Sequence, residues 1–274
     1  MFGKAGLVRL VDRIVLAAPG GRQALDFYSA LKTARFADFA AGLRAGPSSG
    51  RPLPGLLRRI SVAGTPSIDW FLKSGLAAVD CLRDALGRQG RKLEDSRAIL
   101  DFGAGCGRVI RHLEPLAGRT RICGADINSS SIAWSRRHLP FAEMTVCPLA
   151  PPLEFPAESF DLIYALSVFT HLPEDLQRSW IAEMRRLLRP GGLLFFTAHG
   201  VSYVPDLAPE ERAAFEAGQL VVRRAATAGS NWCGAYHPPG WVEQNLLAGF
   251  RLLEHSPEGA LGNPHQDYYL LEKI

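Results

Sequence analysis

The sequence predicts a doubly wound α/β protein: a mostly parallel sheet with an N-terminal helical extension and an inserted lid between the fifth strand and the last helix. Three observations carry this expectation. From Arg97 onward, short β-rich runs alternate with helical ones, the pattern of βαβ units. Those runs are continuously apolar, as strands covered by helices on both faces should be. A turn dense in glycine, Asp101 to Gly107 (DFGAGCG), falls where the first strand passes into the next element.

Length and composition agree. At 274 residues the chain suits one main core, because single cores stop growing at roughly 250 to 300 residues. Hydrophobic residues make up 47% and charged residues 21%, which excludes a disordered chain and a disulfide-dense miniature fold. The five cysteines are scattered and include no C-x-x-C pair, so reduced thiols in a cytoplasm are expected, with no metal site. Charge is uneven: residues 1–97 hold 16 Lys/Arg against 8 Asp/Glu, the remainder 15 against 19. The basic charges are spread along helices, which argues for a solvated face over nucleic acid, with a membrane surface as the alternative partner. No apolar run approaches the ~18 residues that span a bilayer, and Leu7 to Ala18 is broken by Arg9, Asp12 and Arg13.

The extension takes residues 1–95. Leu7, Val11, Ile14 and Val15 stand at helical spacing, and a second helical pattern runs from Gln23 to about Leu43, giving a helical hairpin. Ala45 to Gly55 is a linker rich in Gly, Pro and Ser. Thr65 as N-cap and Pro66 at the first position predict a helix to about Leu86. The main domain takes residues 96–274. Its strands are AILDF, TRICGAD, EMTVC, FDLIYAL and LLFFTAH, with helices at Arg108–Leu116, Ser129–His138 and Glu174–Leu188, the last stopped by Pro190, Gly191 and Gly192. GFRLLEHS and QDYYLLEKI close the chain as two more strands. Residues 200–237 are too long to be structureless. A short helix opening at Ala208-Pro209-Glu210, and pairing of QLVVRR with NWCGAY, predict a structured lid.

The glycine loop lets the backbone turn sharply and approach a ligand closely, so a nucleotide-like ligand is expected there. The dinucleotide pattern G-x-G-x-x-G is not met, since Arg108 and Ile110 stand where its third glycine belongs. What remains is D-x-G-x-G-x-G, with Asp126 following 25 residues after Asp101 at the end of the second strand, placed to accept hydrogen bonds from ribose hydroxyls.

These residues resemble the class I methyltransferases, Rossmann-like enzymes that use S-adenosyl-L-methionine, over about Ser96 to Phe196. The resemblance implies that Gly103, Ala104, Gly105, Gly107 and Arg108 face the methionine part of the cofactor with Asp101 in support. It implies that Asp126 holds the ribose, and that Ile127, Leu149 and Leu166 sit about the adenine and the adjoining wall. The LRPGG segment, Leu188 to Gly192, is similar to the family's turn before the fifth strand. The sequence departs from the family at Cys147-Pro148-Leu149, where an acidic residue often meets the adenine amino group.

Methyl transfer to a hydroxyl calls for a base, and histidine is the usual choice at neutral pH. His171 follows the fourth strand and His199 ends the fifth, both on the carboxyl edge where open α/β sheets bind ligands. His237, with Tyr236 and Trp232 in the insert, is expected to fold over the same edge. The catalytic candidates are therefore His171, His237 and Tyr236, acting on a hydroxyl or amine of a small molecule or saccharide. The absence of an N-P-P-Y type segment after the fourth strand removes support for nucleic-acid bases as substrates. The alternatives are a SAM-binding module without catalysis, whose basic helices meet a membrane or partner, and a SAM-dependent enzyme that does not methylate.

Overall fold

A computed structural model describes residues 51–274. The predicted hairpin of Leu7–Val15 and Gln23–Leu43, and most of the linker, lie outside the described residues. Helix α1 (Leu56–Ala63) follows the linker and ends at Gly64, which takes the left-handed conformation. Helix α2 (Ile68–Arg88) starts two residues later than the sequence implies, because Ser67 is the residue whose hydroxyl accepts the Trp70 N–H. Thr65 instead accepts from the Ser67 N–H in the turn before it.

The main domain then runs β1 (Ala98–Phe102), β2 (Arg121–Asp126), α3 (Ser129–His138), β3 (Glu143–Val146), β4 (Phe160–Ala165), α4 (Glu174–Leu187) and β5 (Leu188–Ala198). The insert contributes α5 (Pro209–Glu216), β6 (Val221–Arg223) and β7 (Gly234–Tyr236), and the chain proceeds through α6 (Pro239–Leu246), β8 (Phe250–Ser256) and β9 (Asp267–Lys273). The seven-stranded sheet has the order β3-β2-β1-β4-β5-β9-β8. Pairing is parallel from β3 through to β5, and β9 runs antiparallel to both β5 and β8. Strands β6 and β7 form the separate antiparallel ribbon expected of QLVVRR and NWCGAY.

Alternation along the strands explains their continuous apolar runs. Leu194, Phe196 and Ala198 of β5 face one core with Trp180 and Met184 of α4 and Trp241 of α6. Leu193 and Phe195 face a second core with Val79 and Leu82 of α2 and Ile132 of α3. Both faces are thus covered, and the polar residues they hold, such as Asp101 and Thr197, are exceptions near the carboxyl ends of β1 and β5. At about 3–5 kcal/mol for removing a buried aromatic side chain, Phe196 alone accounts for a large part of a domain's net stability.

Two local expectations are corrected. The segment after the glycine loop is not an α-helix from Arg108; it forms 3₁₀ turns over Ile110–Leu116, where Pro115 has no N–H to continue a regular ladder. The LRPGG segment is not a turn outside the sheet. Strand β5 already begins at Leu188, and the glycines sit at a register shift in its pairing with β4, with Gly191 at φ +72°.

Candidate active site

The strand order reverses at β1, which has β2 on one side and β4 on the other. In open α/β sheets this leaves a crevice at the carboxyl ends of the strands. Here it opens into a cavity of about 650 Å³. The glycine loop forms its floor, and α1, the segments after β2, β3, β4 and β5, and residues 229–231 of the insert form its walls.

The glycine loop is stitched to β2. Gly103 and Ala104 donate their N–H groups to the Ala125 carbonyl, and Gly105 donates to Asp126 Oδ2 at 2.8 Å. The other oxygen, Oδ1, accepts from the Asn128 N–H at 2.7 Å, opening α3. Asp126 therefore fixes both walls of the crevice. Burial pushes its carboxyl up, against the pull of those two N–H donors. Asp101 is deeper, only 4% exposed, and burial drives it up to about 7, opposed first by the Tyr164 hydroxyl and then by Arg108. Its Oδ2 is buried and accepts no hydrogen bond among the described residues. An unsatisfied carboxylate oxygen on the cavity wall awaits a donor.

Arg108 is held in a fork: Nη1 donates to the Gly262 carbonyl at 3.1 Å and Nη2 to Asn263 Oδ1 at 2.9 Å, with Ser74 Oγ 3.3 Å from Nη1. It so ties the glycine loop to α2 and to the β8–β9 connection. On the far side, Trp180 Nε1 donates to the Leu149 carbonyl at 3.0 Å and fixes the segment after β3.

A polar ring lines the cavity beside the segments after β4 and β5. Ser167, at φ +57°, donates its N–H to Thr197 Oγ1 at 2.8 Å; Thr197 donates to Gln266 Oε1 at 2.7 Å; and the Gln266 amide returns to Ser167 Oγ at 2.5 Å. Tyr203 stands beside it with His199, ring centroids 4.2 Å apart, and both line the cavity. His171 lies across from His199.

Of the residues expected at the cofactor, Asp101, Gly103, Ala104, Gly105, Arg108, Asp126, Ile127, Leu149 and Leu166 line this cavity, together with Cys147 and Pro148. Gly107 lies behind the loop, against Leu139. Of the catalytic candidates, only His171 lines it. His237 is fully buried; its ring nitrogen Nε2 is 3.0 Å from Gln177 Oε1, its N–H donates to the His199 carbonyl, and burial lowers it to about 3. Tyr236 packs on Tyr203 and beneath Arg223, and Trp232 lies under the guanidinium of Arg224 at 4.6 Å. The expectation for His237, Tyr236 and Trp232 is therefore corrected: they brace the insert from behind the wall. Ser167, Tyr203 and Gln266 are the residues sequence reasoning missed. Only the glutamine left a trace, in the QD that opens the final strand.

The walls suit the cofactor that the sequence implies. Asp101 Oδ2 lacks a donor, and a side chain at Gly103 or Gly105 would close the loop against Val168 or Val62. No group of three or more metal-ligating side chains occurs among the described residues, nor any helix long and apolar enough to cross a membrane.

Residues 99–192 match the methyltransferase domain family. The chain is 31% identical over 124 residues to a trans-aconitate 2-methyltransferase of Azoarcus sp., covering 45% of this chain and 47% of that one. It is 31% identical over 108 residues to the enzyme of the same name from Rhodopseudomonas palustris, covering 37% and 38%. The chain thus matches about half the length, or less, of these curated relatives. Among solved structures, a SAM-dependent methyltransferase from Methanosarcina mazei superimposes with a TM-score of 0.52 at 22% identity, covering 68% of this chain and 96% of that one. A glycopeptide N-methyltransferase complexed with S-adenosyl-L-homocysteine gives 0.51 at 15%, covering 72% and 90%, and the two share the fold. Residues 99–192 thus match a methyltransferase domain, and the glycine loop and strand order give the chain the fold of the class I, S-adenosylmethionine-dependent methyltransferases.

Proposed function

We propose that the protein transfers a methyl group from S-adenosyl-L-methionine to a hydroxyl or amine of a small or sugar-like molecule, with His171 taking the proton released. One relationship carries the reading. Asp126, joined to the glycine loop by the Gly105 N–H, and His171 line one and the same cavity. The cofactor, when bound, supplies a methyl group already activated by its sulfonium. The chain's own work is to bind, orient and exclude water.

In this reading Asp101, on the cavity wall, supports the amino group of the cofactor's methionine part. Asp126 receives the ribose hydroxyls, while Gly103, Ala104, Gly105 and Arg108 shape the near wall and Ile127, Leu149 and Leu166 the apolar one. Gly107 acts through the turn and not by contact. His171 is kept neutral because burial lowers its pKa, so its lone pair is available at neutral pH.

The test has two steps. Calorimetry should show binding of S-adenosyl-L-methionine and S-adenosyl-L-homocysteine and none of NAD. Incubation with methyl-labelled S-adenosyl-L-methionine and fractionated extract should then place label in a small polar compound. Label in nucleic acid or protein alone would refute the choice of methyl acceptor.

A further inference from the structure

The two cavity histidines are not merely near each other; the insert sets the chemistry of both. His171 closes the 3₁₀ turn Phe169–His171 after β4, and its Nδ1 lies 2.7 Å from the Cys233 carbonyl oxygen. His199 follows β5, and its Nδ1 lies 3.1 Å from the Ala235 carbonyl oxygen. A carbonyl oxygen can only accept, so in each neutral ring Nδ1 carries the proton and donates it. Each Nε2 is then a bare lone pair. No described residue bonds either Nε2, both rings line the cavity, and neither nitrogen is sealed inside the protein. The rings stand edge to face, 6.4 Å between centroids.

Cys233 and Ala235 are two residues apart along the strand that β7 extends, so their carbonyls share one edge of it. One strand of the insert thereby fixes two tautomers in the same sense. His237, which is braced by Gln177, takes no part. Two lone pairs facing one cavity attract proton donors and repel carboxylate oxygens, which offer lone pairs of their own. The guanidinium that lines the cavity, Arg108, is already engaged by Gly262 and Asn263.

We infer that the methyl acceptor is an uncharged molecule with two neighbouring proton-donating groups, the one to be methylated meeting His171 Nε2 and the other meeting His199 Nε2, and that polycarboxylates are refused. His199 is then a specificity-determining residue. Ser167 completes the recognition: its oxygen receives the Gln266 amide, which leaves its O–H to donate to a ring or carbonyl oxygen of the same molecule. The curated relatives are named for trans-aconitate, a tricarboxylate, and the acceptor inferred here differs from that molecule in carrying no charge.

The inference rests on the methyltransferase reading, and one NMR experiment separates the two. The full chain, labelled with nitrogen-15 in its imidazoles and saturated with S-adenosyl-L-homocysteine, is observed through two-bond proton–nitrogen couplings, with His171→Gln and His199→Gln giving the assignments. Protonated Nδ1 and bare Nε2 are expected for both residues; a protonated Nε2 on either overturns the inference. Methyl glucoside, cyclohexane-1,2-diol and trans-aconitate are then titrated separately. At least one of the first two should move both Nε2 signals, and trans-aconitate should need tenfold more or leave them still. Movement by trans-aconitate at equal or lower concentration overturns the inference, as does silence from both hydroxyl-bearing probes. Absence of S-adenosyl-L-homocysteine binding, with the tautomers as stated, instead removes the methyltransferase reading and this inference with it.

Discussion

Gly103 sits against Val168: a Cβ added at Gly103 would lie 2.3 Å from Val168 Cγ2. The glycine loop after β1 is thus seated on the segment after β4, and Gly103 at φ +88° has both the backbone freedom and the missing side chain that this needs. Valine, stiff at χ1, cannot rotate away cheaply. Gly103→Ala should therefore cost about 1–3 kcal/mol of stability and abolish measurable cofactor binding. Gly87, in α2 with open space around it, is the control: Gly87→Ala should raise stability by about 0.5–1 kcal/mol. Thermal melts and calorimetry of the two variants check this, and equal behaviour would refute it.

Asp126 answers to two backbone donors before it meets any ligand. Asp126→Ala should lose roughly 1.5–3 kcal/mol of S-adenosyl-L-methionine affinity, through lost ribose contacts and a loosened loop. Titration calorimetry at constant salt measures it; an unchanged affinity would move the ribose elsewhere.

The pH dependence of cofactor binding follows from Asp101. Burial holds its carboxyl near 7, so it is increasingly ionised as pH rises through that value. The cofactor brings an ammonium group, which prefers the ionised carboxylate. Affinity should therefore increase from pH 6 to pH 8, and Asp101→Asn should flatten the curve. A wild-type affinity constant over that range would contradict the assignment.

His237 makes a prediction about stability. Its folded-state pKa is lowered from the ordinary 6.5 to about 3, so between those values the unfolded chain binds more protons than the folded one. Its contribution is complete above about 6.5 and is lost progressively as pH falls toward 3. Melting temperatures from pH 8 to pH 4 should fall on the acid side, and His237→Gln should reduce the slope. Part of the slope should survive, because His112, His171 and His199 are lowered as well.

Across the cavity mouth, Asn231 Nδ2 of the insert donates to the Ser61 carbonyl of α1 at 2.8 Å. An exposed hydrogen bond of this kind contributes about 0.5–1.5 kcal/mol. Asn231→Ala should speed release of S-adenosyl-L-homocysteine by about two- to tenfold and lower the melting temperature of the free protein by about 1–5 °C. Stopped-flow release kinetics would show it.

The sheet was legible because β1, β4, β5 and β9 are apolar runs dense in Ile, Leu, Phe or Tyr, and the cofactor wall because its glycines and two aspartates are close in sequence. Helix α1 was harder to see: eight residues emerging from a linker give barely two turns of pattern. The Ser167–Thr197–Gln266 ring was invisible because its members are 30, 69 and 99 residues apart and ordinary in composition. His237 misled for a different reason. Neighbours along an extended segment point to opposite sides, so Tyr236 reaching toward Tyr203 and His199 directs His237 inward, to Gln177.

Strand β9 lies between β5 and β8, so neither of those strands is fully paired until residues 267–273 have been made. The cofactor half of the sheet, β3-β2-β1-β4, contains only earlier segments and can assemble while the chain is still growing. The β5-β9-β8 half cannot, since Gln266 and Asp267 come later in the chain than every strand of the first half. Birth order on the ribosome thus lets the sheet beneath the glycine loop form first, while the Arg108 fork waits for Gly262 and Asn263 and the Ser167–Thr197–Gln266 ring for Gln266.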